Sequence, residues 1–134
     1  MSRSPCRLRA VIDVDHVGRL ESLADAASAR LPEVAEPLLS KLAAARVVSA
    51  KQMHDVVTVG TTLTYRDDIS GREQDVTLAW PEDADISRGA VSVLTPIGVA
   101  LLGLPVGGSV NWMTRTGHQR ALTILRVGGA LSAA

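Results

Sequence analysis

The sequence predicts an α+β chain: a short N-terminal antiparallel helical hairpin, then an antiparallel sheet with one short helix. Three observations carry this reading. Apolar residues recur at helical spacing as far as Val48. Beyond that point β-branched runs alternate with polar residues and are separated by turn signals. One segment, Thr95 to Gly103, contains both a helix start and a helix stop.

The elements follow in order. From Val14, the residues Val17, Leu20, Ala24, Ala27 and Leu31 recur at steps of three and four, the seam of a helix packed on one partner. Asp13 is placed to cap its N-terminus, Arg30 stands in its last turn, and Pro32 ends it, because the residue before a proline is pushed out of helical geometry. Leu38, Leu42 and Ala45 form a second stripe, with Leu39 and Ala43 beside it. That helix starts near Glu33 with Pro37 late in its first turn, or at Glu36 with Pro37 as its first residue. A very short turn makes the two antiparallel, and arms of at most about 18 residues span roughly 25 Å. The hairpin domain is expected over 11–48 and the sheet domain over 49–134.

After a polar connector from Ser49 to Asp55, a strand is expected at Thr62–Tyr65 and a turn at Asp67–Gly71, where Asp and Gly supply the turn chemistry. Gln74–Trp80 alternates, with Val76, Leu78 and Trp80 on one face and Asp75, Thr77 and Ala79 on the other. Pro81–Arg88 reads as a loop and Ala90–Leu94 as a strand. Thr95 caps a short helix with Pro96 in its first position and Gly103 just past its end. Ser109–Met113 and Ala121–Val127 pair as the last two strands.

Composition narrows function. The chain has 134 residues, 46% of them hydrophobic, enough to bury a core without disulfides or metal. Aromatics make up 2%, limited to Tyr65, Trp80 and Trp112, too few for a base-stacking platform. Fourteen basic residues balance fourteen acidic ones, so overall charge gives no attraction to nucleic acid. The balance is uneven: Asp67, Asp68, Glu73, Asp75, Glu82, Asp83 and Asp85 crowd one stretch, read either as solvated faces or as a surface for a basic partner. Cys6 is the single cysteine and cannot form an internal disulfide. Arg7 and Arg9 interrupt any secretory segment, and no apolar window approaches the roughly 20 residues of a membrane span. A soluble cytoplasmic protein with no membrane partner is expected.

Catalytic chemistry finds no support. His16, His54 and His118 are far apart, each reading as a surface histidine. Asp13-Val14-Asp15-His16 resembles a metal cluster only until the preference of helix N-termini for acids is considered. Neither a nucleophile elbow, a phosphate loop nor a dinucleotide fingerprint is present. The expectation is no enzyme, no cofactor and no metal.

The run from Ala90 to Gly107, with Thr95-Pro96-Ile97-Gly98 leading into Ala100-Leu101-Leu102-Gly103 and Val106-Gly107, resembles the C-terminal domain of the Gre transcript-cleavage factors. Trp80-Pro81-Glu82-Asp83-Ala84-Asp85, Leu104, Trp112 and the Leu31-Pro32 turn are similar to the Rnk type within that superfamily, named regulators of nucleoside diphosphate kinase. The match runs from about Val11 to Val127. Val99 and Gly108 stand where Gre factors often carry arginine and aspartate.

The resemblance implies an FKBP-like sheet domain that docks on the rim of RNA polymerase's secondary channel, with the hairpin pointing inward. It implies polymerase-binding roles for Thr95, Pro96, Ile97 and, more weakly, Leu101; Thr95-Pro96 also reads as a plain helix cap, and both roles can hold. Gre factors deliver a pair of acids on a long coiled coil to the polymerase's catalytic magnesium. Here the hairpin tip is Arg30, Leu31, Pro32 and Glu33, with Glu36 one turn further on. Glu33 and Glu36 can share a helix face, yet the arm is short. The expectation is therefore a non-enzymatic transcription regulator that competes with Gre-type factors without stimulating cleavage and touches no nucleic acid. Two alternatives stay open: a protein-binding regulator of nucleoside diphosphate kinase level or activity, possible without direct contact, and an FKBP-like prolyl isomerase, which three scattered rings disfavour.

Overall fold

The computed structural model describes residues 10–49, 51, 55–114 and 116–128. Cys6, His54 and the Ala-rich stretch 129–134 lie outside the described residues. The chain opens with β1 (Val11–Asp13), α1 (Val14–Ala27), α2 (Pro32–Ala44) and β2 (Arg46–Val48). It continues with β3 (Thr62–Asp67), β4 (Glu73–Ala79), β5 (Ala90–Ser92), α3 (Pro96–Leu101), β6 (Ser109–Met113) and β7 (Gln119–Val127).

Asp13 caps α1 as its residue type predicts: its Oδ1 accepts from the Asp15 amide at 2.8 Å, satisfying one of the helix's orphan donors. α1 ends earlier than its apolar seam suggests. The amides of Arg30 and Leu31 both turn back onto the Ala27 carbonyl, so Arg30 lies beyond the helix. Pro32 does not merely stop the first helix; it is in the first turn of α2, where its missing N–H costs nothing. Pro37 lies inside α2. At about 1.5 Å per residue, the 14 residues of α1 and 13 of α2 reach roughly 20 Å.

β1 and β2 pair in parallel across the base of the two helices, Val11 with Arg46 through Asp13 with Val48. Sequence periodicity places 46–48 at the end of a helix, because three residues are too short to display a period of two.

The second sheet has five strands in the order β5-β4-β3-β7-β6. β3 pairs antiparallel with β4 and β7, and β6 pairs antiparallel with β7. The expectation of an antiparallel sheet fails at one pair: β4 and β5 run parallel, Thr77 opposite Ala90 and Ala79 opposite Ser92. Two 3₁₀ turns, Pro81–Asp83 and Ile86–Arg88, carry the chain back so that it re-enters in the same direction. Between β3 and β4, Asp67 Oδ1 accepts from the amides of Ile69 at 2.9 Å and Ser70 at 3.1 Å, the expected Asp turn.

One continuous apolar cluster joins helices to sheet. Leu20, Ala24, Val34 and Leu38 belong to the same buried group as Leu63, Leu78, Val93, Leu101, Leu122 and Ile124. Val76 and Leu78 face it as the alternation predicts, but Ala79 is buried as well. Tyr65, Trp80 and Trp112 only pack against the edge of the cluster. The aliphatic residues fill the interior, and the rings close its margins.

Two contacts position α3. At its start, Gly98 lies so close to the preceding chain that a Cβ there would run into the Ser92 carbonyl and come within 2.8 Å of Val93 Cα. At its end, Lys41 Nζ reaches across from α2 and donates to the carbonyls of Val99 at 2.6 Å, Ala100 at 3.1 Å and Leu102 at 2.8 Å. These include last-turn carbonyls that a helix leaves without partners. Gly103 follows with φ of +82°, its amide bonded to the Val57 carbonyl and its own carbonyl accepting from Val11. α2, α3 and β1 therefore meet at one place.

Two outcomes are expected. Gly98→Ala forces the α3 start away from Ser92 and costs about 2 kcal/mol or more in urea unfolding, whereas Gly18→Ala, on the open side of α1, gains about 0.5–1 kcal/mol. Burial pulls the Lys41 ammonium down from 10.5 to about 8, so it is mostly charged at neutral pH. Between about pH 8 and 10.5 the unfolded chain then holds more protons than the folded one, and this group's contribution to stability rises with pH. Lys41→Met leaves the carbonyls unpaired, lowers stability at pH 7 by about 1–3 kcal/mol, and removes that part of the rise when midpoints at pH 7 and 9.5 are compared.

Candidate docking site

The Thr95–Ile97 corner is built from backbone rules. Thr95 is extended, with φ −133° and ψ 160°, and its Oγ1 both accepts from the Gly98 amide at 3.0 Å and donates to the Ser92 carbonyl at 2.7 Å. Ser92 Oγ accepts from the Leu94 amide at 2.9 Å, and the Val93 amide reaches the Ala79 carbonyl. The hydroxyl pair and the proline ring leave the corner little freedom. Pro96 and Ile97 are half-buried, and Ile97 leans on the core. Leu101 is 0% exposed. A side chain on the inner face of α3 has no surface to offer a partner, so Leu101 supports the corner from beneath and is removed from the expected contact set.

At the α1–α2 turn, Arg30, Pro32, Glu33 and Glu36 are exposed and Leu31 is half-buried against the core. Of these, Glu33 alone is brought to the corner: it shares with Pro96 a groove of about 310 Å³ between α2, α3 and β6. Glu33 and Glu36 belong to no group of three or more metal-ligating side chains among the described residues. The α1–α2 turn and the helix corner thus flank one another, and the acids are not carried away on an extended arm.

A second junction fastens α1 to the sheet. The Arg19 guanidinium lies over the Trp80 ring, 4.0 Å from its centroid, and pairs with Glu82. His16 meets the same ring edge-on at 5.4 Å, and its Nδ1 is 3.2 Å from Thr58 Oγ1. His16 is therefore a packed histidine and not a surface one. His118 is exposed, bonded to Thr116 at 2.8 Å.

The acidic stretch is largely engaged. Asp67 pairs with Arg120; the Ser70 amide first, then the guanidinium, hold its carboxyl below the usual range despite partial burial. Asp68 takes Arg66 at 2.9 Å and the Thr123 hydroxyl at 2.7 Å, and Asp75 takes the Thr64 hydroxyl at 2.6 Å. Asp85 caps a 3₁₀ turn through Ser87. Glu82 is spent on Arg19, which favours the structural reading of these acids over a free surface for a basic partner.

Sequence reasoning missed Lys41 and Arg19. Lys41 stands in the last turn of α2, where it reads as a partner for its own helix's dipole, and nothing in one dimension says that it serves α3. Arg19 had a trace, since a cation on the polar face of α1 and a Trp-Pro-Glu corner are complementary, but their pairing is tertiary.

Comparison with known proteins bears on the fold that carries this corner. The family described as "Transcription elongation factor, GreA/GreB, C-term" matches residues 52–128. The "Regulator of nucleoside diphosphate kinase" of Escherichia coli strain K12 is 36% identical over 102 residues, 75% of this chain and 74% of that protein. A "Transcription elongation factor GreA" of Chlorobium phaeobacteroides is 37% identical over 83 residues, covering 60% of this chain and 52% of its own. A solved "Prokaryotic transcription elongation factor GreA/GreB" from Nitrosomonas europaea superposes with a TM-score of 0.71 at 33% identity, covering 88% of this chain and 98% of that one.

Proposed function

We infer function from one premise: this chain belongs to the GreA/GreB C-terminal family of transcription elongation factors. The reading it supports best is a non-enzymatic regulator that binds RNA polymerase near the secondary channel through Thr95, Pro96 and Ile97. By occupying that site it limits access of Gre-type factors, and it does not stimulate transcript cleavage. The reading takes 11–48 as a short helical hairpin and 49–134 as an FKBP-like sheet domain, and places the protein in the cytoplasm, where polymerase works.

The observation that carries it is the juxtaposition of the Thr95–Pro96 corner and Glu33 on one groove. A carboxylate assists at a metal only within direct reach of it. If the corner docks on the channel rim, Glu33 is held at the rim as well, because helices of roughly 20 Å packed onto the sheet give no means of projecting it inward. On this reading docking and cleavage are separate.

The name of the Escherichia coli relative favours one further reading, a protein-binding regulator of nucleoside diphosphate kinase level or activity. Direct contact would appear as co-purification with the kinase in the absence of polymerase.

Purified core polymerase is expected to retain the chain in a pull-down, a Gre-type factor to displace it, and Pro96→Ala to weaken retention about tenfold, the scale of one well-placed contact residue. Stalled elongation complexes should show no added RNA cleavage. No retention of the wild type removes the polymerase reading, and cleavage abolished by Glu33→Gln with Glu36→Gln makes the protein a cleavage factor.

A further inference from the structure

Four consecutive residues of β6, Val110, Asn111, Trp112 and Met113, line the groove. Successive side chains of a strand point to opposite faces. A cavity walled by four in a row therefore runs along the edge of the strand. Among the described residues, β6 is the last strand of its sheet, with β7 on one side and no strand on the other. On that open side alternate residues of an antiparallel strand present N–H and C=O groups with no ladder partner.

The opposite wall is α2, which contributes Glu33, Pro37 and Lys41, residues four apart along one helical face. Between the walls lies an apolar floor of Val34, Val99 and Ala100, each under 7% exposed. The groove is a slot between a strand edge and a helix. That shape selects its occupant. A second copy pairing edge to edge through β6 would bring a whole sheet, β7 included, toward a groove that α2 lines on its other side. A helix has no free backbone groups along its length to meet the edge. A lone extended segment meets both conditions.

Charge selects further. Glu33 is exposed and has no ion-pair or hydrogen-bond partner among the described residues. The one cation on the same wall, Lys41, is turned onto the α3 carbonyls. Lys41 is buried and eight residues, about 12 Å, away along the helix, so the charge open to solvent at the Glu33 end of the slot is negative.

We propose that this slot takes an extended segment of a partner protein, matching the five residues of β6, which adds as a further strand beside it. Alternate apolar side chains rest on the Val99–Ala100 floor, and a basic side chain faces Glu33. The inference does not depend on the polymerase reading and names a mode of contact different from the Thr95–Pro96 corner.

The test titrates the isotopically labelled full chain with the blocked peptide acetyl-Thr-Val-Arg-Val-Thr-amide by NMR. Saturable amide shifts confined to β6 and the facing side of α2, with slowed exchange of β6 amides, are expected. N-methylation of alternate peptide nitrogens should weaken binding about tenfold or more, through loss of backbone hydrogen bonds. Replacing Arg by Glu in the peptide should weaken it about threefold, and Glu33→Lys, at an exposed position that leaves the fold intact, should reverse that preference. Absence of saturable shifts at millimolar peptide, shifts centred elsewhere, or equal binding of the N-methylated peptide each overturn the proposal.

Discussion

A helix of six residues cannot satisfy its own last carbonyls, and α3 is such a helix. Lys41 resolves this by placing its three ammonium donors on three carbonyls near the end of α3. The contact fixes more than a cap. It sets α2 against α3, and Glu33, eight residues or about 12 Å upstream on the same helix, comes to stand beside Pro96. One residue beyond the last of those carbonyls, Gly103 ties the chain to Val57 and Val11, so the base of the α1–α2 pair is anchored at the same spot.

The arrangement carries an electrostatic cost, visible in the fall of the Lys41 pKa to about 8 through burial. A shorter or apolar residue would avoid that cost but would leave buried carbonyls without donors, a penalty of comparable size. Arginine offers five donors in a rigid planar fork, poorly matched to carbonyls converging from one helix end, whereas an ammonium is a compact point with rotatable donors. At the α1–Trp80 junction Arg19 does suit its place, since a flat guanidinium can stack on Trp80 and still reach Glu82.

Features governed by neighbouring residues were legible in the sequence. Asp13 and Thr95 cap helices, Asp67 organises its turn, and β6 spans the predicted residues, because each depends on contacts within a few positions. The end of α1 was less legible: the apolar seam continues to Leu31, but Leu31 packs from the turn after the helix has stopped at Ala27. Parallel pairing of β4 with β5 and of β1 with β2 left no local trace, since short strands of either orientation share one alternation. The residues of the α3 corner divided in the same way. Thr95 and Pro96 follow from motif chemistry. The burial of Leu101 follows from which face of α3 meets the sheet, and that is set by Gly98 and Lys41 together.

The position of α2 also resolves a conflict that every open sheet faces. An uncovered edge strand invites pairing with another sheet, and complete cover removes the edge as a recognition surface. β6 carries few charges to protect itself: Ser109, Val110, Asn111, Trp112 and Met113 include none. α2, tied to α3 by Lys41, lines the groove opposite β6 and leaves the strand's edge as its other wall. The buried lysine that completes a short helix thereby also fixes α2 as one wall of the groove beside the sheet's edge.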